Sequence, residues 1–164
     1  MLIRKEQATD VAAIRQVTDA AFADVVQSDG REGAIVDGLR AAGALTLSLV
    51  AEEGGVVGLV AFSPVSVGDV AGTWYGLGPV SVAPDRQGQG IGKLLITAGL
   101  DQLRQIGAGG CVVLGDPAYY HRFGFRADPM LRFDGVPAAY FMQLTLSGPT
   151  AEGQVAYHPA FFDG

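Results

Sequence analysis

The chain has 164 residues, a formal net charge of −6 and a pI of about 4.7. Its length predicts one domain over residues 1–164 with a substantial core, and its acidic balance argues against a nucleic-acid partner. Cys111 is the one cysteine, which excludes an intramolecular disulfide, and with two histidines we expect no metal site.

Apolar runs in the sequence are short. The stretches between charged residues and Gly or Pro breaks do not reach the length that crosses a bilayer. The first residues lack the basic-then-apolar layout of a signal peptide. We therefore expect a cytoplasmic protein without a membrane partner.

The first part of the chain is predicted to form one strand and two helices. Residues 2–6 read as the strand, and Thr9-Asp10 can cap the first helix. The second helix opens at Asp29, with Glu32 at the spacing of a capping box, and ends at Gly43. The apolar residues of the first helix recur every three or four positions and form one buried stripe: Val11, Ile14, Val17 and Ala21.

Three strands are predicted next. Residues 46–52 and 56–64 are rich in β-forming residues and are joined by a Glu-Gly-Gly turn, which predicts a hairpin. Residues 74–82 form the third strand. Gly78 and Pro79 are unfavourable within a continuous ladder of backbone hydrogen bonds, so we expect a bulge or a splay in this strand.

A glycine-rich turn follows the third strand. Gly88, Gly90 and Gly92 remove side chains from alternate positions, so backbone N–H groups can converge on an anion at the positive end of the next helix. Arg86 and Lys93 flank the turn with positive charge. The stretch therefore predicts a cradle for the diphosphate of a nucleotide-type cofactor.

Two better-known phosphate loops do not fit this spacing. A P-loop needs Gly at position 87 and Ser or Thr at position 94, where Gln87 and Leu94 stand. The dinucleotide fingerprint needs Gly at position 93 or 95, where Lys93 and Leu95 stand. The turn therefore matches neither of these two loops.

The remaining elements are a long helix and shorter pieces. The helix is predicted over 90–106, and its inner face is Ile91, Leu94, Leu95 and Ala98. After it come a buried strand at 111–114, a short helix opened by Asp116-Pro117, a loop at 126–138, and closing strands at 139–146 and 154–157.

Two motifs carry a resemblance to a known family. Gln87-x-x-Gly90-x-Gly92 after a Val-Ser-Val strand resembles the acetyl-CoA signature of the GNAT family of N-acetyltransferases. Residues 114–125, Leu-Gly-Asp-Pro-Ala-Tyr-Tyr-His-Arg-Phe-Gly-Phe, resemble that family's other signature, and together with the ending at 155–161 they are most similar to its YhbS-type branch. The predicted element order matches the family over nearly the whole chain.

The resemblance implies a fold and an activity. The fold is α/β, of the mixed α+β kind: a GNAT-like, mostly antiparallel, splayed mixed sheet of about seven strands with about four helices. The activity is acetyl-CoA-dependent transfer of an acetyl group to a primary amine by direct attack. The acceptor is a small-molecule or peptide amine, and a monomer and a homodimer both remain open.

The resemblance also assigns the contacts to acetyl-CoA. Strand backbone groups lie beside the pantetheine arm, and the glycine-rich turn holds the diphosphate. The residues implied are Val80, Ser81, Val82, Gln87, Gly88, Gln89, Gly90, Ile91, Gly92 and Lys93.

By the same resemblance, Tyr120 is the general acid. A phenol of ordinary pKa about 10 is protonated at neutral pH and can donate to a leaving thiolate. Its neighbour Tyr119 is interpreted as packing. The general base stays open between Glu32, which can equally serve as a helix cap, His121, and water.

Two rival functions remain at this stage. The first is a non-catalytic acyl-CoA-binding sensor or regulatory module. The second keeps the fold and the reaction but uses another acyl-CoA donor, because the turn contacts only phosphates. Ser81 is not expected to act as a hydrolase nucleophile, since no G-x-S-x-G surrounds it.

Overall fold

The computed structural model describes residues 1–68 and 70–162. Its strands are β1 (Leu2–Lys5), β2 (Leu47–Glu52), β3 (Val56–Val67), β4 (Val70–Val82), β5 (Gly110–Leu114), β6 (Leu131–Arg132), β7 (Phe141–Thr145) and β8 (Gly153–Tyr157). Its α-helices are α1 (Val11–Phe22), α2 (Glu32–Ala41), α3 (Ile91–Gln105) and α4 (Pro117–Tyr120).

The strands form one mixed sheet in the order β1-β2-β3-β4-β5-β7. Neighbours along this path are antiparallel except β4 and β5, which run parallel. β8 pairs with the far end of β3, and the two-residue β6 pairs with β8. The predicted mixed α/β fold is confirmed; β6 adds a strand within the stretch 126–138 that the sequence predicted as a loop.

Helices cover both faces of the sheet. Leu49 and Val60 pack with Leu95 of α3 on one face, while Val50 and Leu59 pack with Ile14 of α1 on the other. Adjacent strand residues point to opposite faces, so these largely apolar strands are buried on both sides. The β2–β3 region of the sheet therefore lies between two helical layers.

The buried stripe of α3 differs from the predicted one. Leu94, predicted to face inward, is 48% exposed. The helix instead turns Gly99 toward the sheet, where the ring of Phe62 takes the space that a Cβ would need. The buried residues of α3 lie on the same side of the helix as Gly99, and Leu94 therefore lies on the exposed side. These buried residues are Ile91, Leu95, Ile96, Leu100 and Leu103.

This close approach predicts the effect of a substitution. Gly99→Ala should lower the free energy of unfolding by about 1–3 kcal/mol, because the added methyl group overpacks against Phe62. Helix propensity alone would favour alanine by about 1 kcal/mol. Urea unfolding checks the sign, with Thr97→Ala on the exposed side of the same helix as a control. A stabilised Gly99→Ala protein would contradict this packing.

The hairpin of β3 and β4 is longer than predicted. β3 continues beyond residue 64, and β4 begins before residue 74. The last pair of the hairpin is Val67 with Val70. Exposed Pro64 lies within β3, and the register shifts between Pro64 and Ser66. An irregular position of this kind accommodates a proline, so Pro64 does not end the strand.

The start of α2 does not form the predicted capping box. The helix begins at Glu32, and the Asp29 carboxylate accepts the Arg31 backbone N–H at 3.1 Å. Both carboxylate oxygens of Glu32 accept the Ser28 hydroxyl, at 2.6 and 2.7 Å. Glu32 is therefore held by a serine side chain rather than by the backbone of Asp29.

Candidate active site

The sheet opens where β4 carries a bulge. Val60 pairs with Val80 and Phe62 with Leu77, so Gly78-Pro79, which is joined by a cis peptide bond, lies opposite one residue of β3. The pairing between β4 and β5 ends at Leu77. The two parallel strands therefore separate after this residue, as the sequence predicted.

The bulged strand leaves backbone groups on the open side. The N–H of Ala83 donates to the Val57 carbonyl at 2.8 Å, so Ala83 and, by alternation, Ser81 direct their polar groups toward β3. Val80 and Val82 therefore direct theirs toward the opening. The hydroxyl of buried Ser81 donates to the Thr18 hydroxyl at 3.1 Å, so neither the side chain nor the backbone polar groups of Ser81 are directed toward the opening.

The glycine-rich turn forms an open cradle at the start of α3. Gly88 and Gly90 have φ of 78° and 81°, a region that favours glycine, and no atom lies within 4 Å of a Cβ built at either position. The Leu94 N–H bonds the Gly90 carbonyl at 3.1 Å. The N–H groups before it, of Ile91, Gly92 and Lys93, have no acceptor within the helix.

Side chains around this cradle fix the turn and set its charge. The Gln87 amide donates to the Val82 carbonyl at 3.1 Å, which ties the turn to β4. Arg86 pairs with Glu53, and this pair holds the pKa of Glu53 below its ordinary value. Lys93 is exposed and makes no ion pair among the described residues. Of the two predicted flanking cations, Lys93 thus retains an uncompensated charge.

A diphosphate fits this cradle. The space beside its glycines is open, its first N–H groups have no intrahelical acceptor, and Lys93 adds a full positive charge to the positive end of a helix of 15 residues. Gln89 is exposed at its edge, where its side-chain oxygen accepts from Arg86 at 3.4 Å. The chemistry of the turn is that of an anion site.

Tyr120 lies on the other side of the opening, in α4. The Asp116 carboxylate accepts the Ala118 N–H at 2.9 Å and so caps this short helix, as predicted. The Tyr120 side chain is 9% exposed, and its ring makes edge contacts with Tyr119 and Phe125 at centroid distances of 5.1 and 6.0 Å. Burial raises the pKa of Tyr120 above the ordinary value of a phenol.

A cavity of about 510 Å³ lies between the bulge of β4 and Tyr120. It contains residues from the end of α1, the start of α2, the bulge of β4, the end of β5, α4, the segment after β6, and the C-terminal segment. Its lining residues are Phe22, Arg31, Glu32, Ile35, Leu77, Gly78, Pro79, Val80, Leu114, Tyr120, Phe133, Tyr157, Phe161 and Phe162.

The structure brings some candidate residues together and leaves others apart. Tyr120 and Glu32 line the same cavity, and Glu32 is the one carboxylate among the described lining residues. His121 is exposed and is not part of the lining. Tyr119 faces the cradle instead, because a Cβ at Gly92 would lie 3.3 Å from its hydroxyl oxygen.

Arg122 and Arg126 make local contacts. The Arg122 guanidinium lies 4.5 Å from the centre of the Tyr119 ring, and its Nε donates to the Tyr119 carbonyl at 2.9 Å. Arg126 donates to the carbonyls of Phe125 and His121 at 2.7 and 3.2 Å. These contacts order the segment that carries Tyr120.

Sequence reasoning missed the aromatic lining of the cavity. It consists of Phe22, Phe133, Tyr157, Phe161 and Phe162. These residues come from segments far apart in the chain, and no spacing or periodicity connects them. Among the described residues there is no group of three or more His, Cys, Asp or Glu side chains that could hold a metal ion, and no helix long and apolar enough to cross a membrane.

Comparisons with known proteins agree with this geometry. The chain matches the family model of the acetyltransferase (GNAT) domain over residues 45–127, which run from β2 to α4. It is 40% identical to the uncharacterized N-acetyltransferase YhbS of Escherichia coli K12, over 98% of each chain.

Two solved structures extend the likeness to three dimensions. A GNAT family acetyltransferase from Brucella melitensis, in complex with acetyl-CoA, is 57% identical over 98% of this chain and 97% of its own, with a TM-score of 0.88. YhbS from Escherichia coli, in complex with CoA, is 38% identical over 99% and 92%, with a TM-score of 0.87. This chain therefore belongs to the GNAT family of acetyltransferases and is related to YhbS.

Proposed function

We propose that the chain is an N-acetyltransferase that uses acetyl-CoA and passes the acetyl group directly to a primary amine. The single observation that carries the proposal is one cavity that contains both Tyr120 and Glu32 and borders the bulge at Gly78-Pro79, where β4 leaves β5. The structures of two relatives, one with acetyl-CoA and one with CoA, support the choice of cofactor.

The glycine cradle and the open side of β4 would hold the cofactor. The N–H groups of Ile91, Gly92 and Lys93 would bind its diphosphate, and the backbone N–H and C=O of Val80 and the N–H of Val82 would bond the amides of its pantetheine arm. When bound, the cofactor supplies an acetyl group activated as a thioester. The hydrogen bond from Gln87 to Val82 fixes the position of the glycine cradle relative to β4.

Tyr120 is assigned to hold and donate a proton at its phenolic oxygen. Its raised pKa keeps it protonated at neutral pH, and the leaving thiolate is the group that needs the proton. Glu32 is assigned to bind the ammonium form of the acceptor and to take up its proton, directly or through a water. Both assignments use groups that the cavity already brings together.

Direct attack is favoured because two candidate nucleophiles, Cys111 and Ser81, are both buried. Cys111 is fully buried in the core, and burial raises the pKa of its thiol, so the reactive thiolate is scarce. The Ser81 hydroxyl is buried and bonded to Thr18. Neither side chain is poised to carry an acetyl group.

The proposal is tested by amine-dependent release of free thiol from acetyl-CoA. We expect turnover with at least one amine of a broad panel, initial-rate plots that intersect rather than run parallel, and no mass increase of one acetyl group on the protein after incubation with acetyl-CoA alone. Tight CoA binding without turnover of any amine would favour a sensor. Faster turnover with succinyl- or propionyl-CoA would favour another acyl donor.

A further inference from the structure

We propose that the acceptor is a small primary amine carried on an aromatic or similarly flat apolar body. This inference rests on the proposed function, because it concerns the occupant of the same cavity. It goes further by choosing among acceptors, since the motifs leave small metabolites, polyamines, antibiotics and peptide amino termini equally open.

Three aromatic residues form a connected wall of the cavity. The Phe133 and Tyr157 rings meet edge to face at 5.2 Å, and Tyr157 and Phe161 meet at 5.2 Å in a tilted contact. Phe133 also stacks on the ring of Phe141 at 5.5 Å. Each ring packs against another ring, so the wall is formed before a ligand binds. Binding therefore costs little side-chain conformational entropy.

The wall presents ring surface rather than polar atoms. The Tyr157 hydroxyl is buried and has no hydrogen-bond partner among the described residues, so the part of Tyr157 that lines the cavity is its ring. A Cβ at Gly76 would lie 2.6 Å from Tyr157 Cε1, which shows how closely this ring sits on β4. An aromatic ligand would find complementary faces and edges there.

The charges of the cavity suit a single ammonium group. Glu32 is fixed by Ser28, with oxygen–oxygen distances of 2.6 and 2.7 Å. The other ionic side chain of the lining, Arg31, is paired with the Asp29 carboxylate at 2.8 Å and donates to the Phe161 carbonyl at 3.1 Å. A polyamine or an aminoglycoside would bring further cations against aromatic walls, and each would need its own partner.

The size of the cavity agrees with this choice. Its volume of about 510 Å³ lies within the range of small-molecule sites and would be shared with the thioester end of the cofactor at Val80, and its lining is mostly apolar with few polar groups. Its lining combines one carboxylate, at the start of α2, with rings from the C-terminal half. An amine with one charge and one flat apolar group matches both.

The experiment compares matched amines under one assay. Thiol release is measured with 2-phenylethylamine, n-butylamine and spermidine at saturating acetyl-CoA. We expect kcat/KM for 2-phenylethylamine to exceed the other two by at least about 10-fold, because only its ring fills the aromatic part of the cavity. Equal values across the three amines, or a preference for spermidine, would overturn the inference and leave the acetyltransferase proposal intact.

Substitution of one wall residue tests whether the aromatic wall causes the preference for an aromatic amine. Phe133→Leu keeps an apolar side chain but removes the flat ring, and should lower kcat/KM for 2-phenylethylamine about 3- to 10-fold while n-butylamine changes less than about 2-fold. Tyr140→Leu removes an exposed ring outside the cavity and serves as the control. If thermal unfolding shows Phe133→Leu to be unfolded, Phe22→Leu, at another aromatic position of the lining, replaces it.

A binding measurement separates the two proposals. Calorimetry of the CoA-loaded protein with 2-phenylethylamine and n-butylamine does not depend on turnover. Preferential binding of the aromatic amine without turnover of any amine would support an aromatic amine as the ligand of the cavity and would overturn the catalytic proposal. Neither binding nor turnover of the aromatic amine would overturn the acceptor class alone, and the catalytic proposal would then be decided by the wider amine panel.

Discussion

Tyr120→Phe should lower kcat by about 10²-fold or more and leave the affinity for CoA within about 2-fold. The phenylalanine ring preserves the contacts with Tyr119 and Phe125 and removes only the hydroxyl. Without it the titratable side chains of the described lining are Arg31, Glu32 and Tyr157, and the Tyr157 hydroxyl is buried without a hydrogen-bond partner among the described residues. Steady-state kinetics and CoA calorimetry on the same preparation measure the two quantities.

Tyr119→Phe is the matched control for this experiment. Tyr119 is the neighbouring phenol in α4, but its hydroxyl lies beside Gly92 rather than in the cavity. We expect its kcat to remain within about 3-fold of the parent and any loss to appear in CoA affinity. Equal kcat for Tyr120→Phe and the parent protein would reduce Tyr120 to a packing residue.

The same assignment predicts the alkaline side of the pH profile. A general acid acts in its protonated form, so activity falls only as pH rises through its pKa. Burial moves the pKa of Tyr120 upward from the ordinary phenol value, so kcat with saturating amine should show no falling limb near pH 10. A decline centred at the ordinary value would contradict a buried acid.

The sequence predicted those parts of the fold that short-range patterns specify. The glycine turn, the Asp116 cap and the bulge at Gly78-Pro79 are all local, and the structure has each of them. Alternation and helical periodicity predicted most element positions. The catalytic and cofactor roles remain predictions, because they came from a resemblance and their test is functional.

Features of the fold that depend on residues far apart in the chain could not be predicted from the sequence. Leu94 was placed on the inner face because it fits an apolar repeat, but the contact between Gly99 and Phe62, which are far apart in the chain, sets the rotation of α3. The pairing of β8 with the end of β3 depends in the same way on tertiary packing. Local propensity carries no information about either.

Glu32 shows how one spacing can support a wrong structural interpretation. Its distance from Asp29 matches a capping box, yet Ser28 supplies the hydrogen bonds instead. Gly30, with φ of 79°, turns the chain between them, and the Ser28 hydroxyl also accepts the Gly30 N–H at 2.9 Å. The carboxylate is thereby placed in the cavity, which strengthens the case for Glu32 as the acceptor-binding residue.

Gly90→Val should weaken CoA binding by about 10²-fold or more, equivalent to about 3 kcal/mol. Valine disfavours the φ of 81° at this position, and its branched side chain would enter the open space in front of α3 that the proposal gives to the diphosphate. Calorimetry with CoA measures the loss directly, without an acceptor amine.

Gly107→Val separates that effect from simple backbone strain. Gly107 follows the C-terminal end of the same helix, has φ of 78°, and likewise has no atom within 4 Å of a built Cβ. Both variants should lose about 1–3 kcal/mol of unfolding free energy, because each forces a β-branched residue into the left-handed region. Only Gly90→Val should lose CoA affinity, since the positive end of a helix dipole and its unpaired N–H groups lie at the start of α3. Similar CoA affinity in the two variants would place the diphosphate outside this turn and remove the basis for the cofactor site.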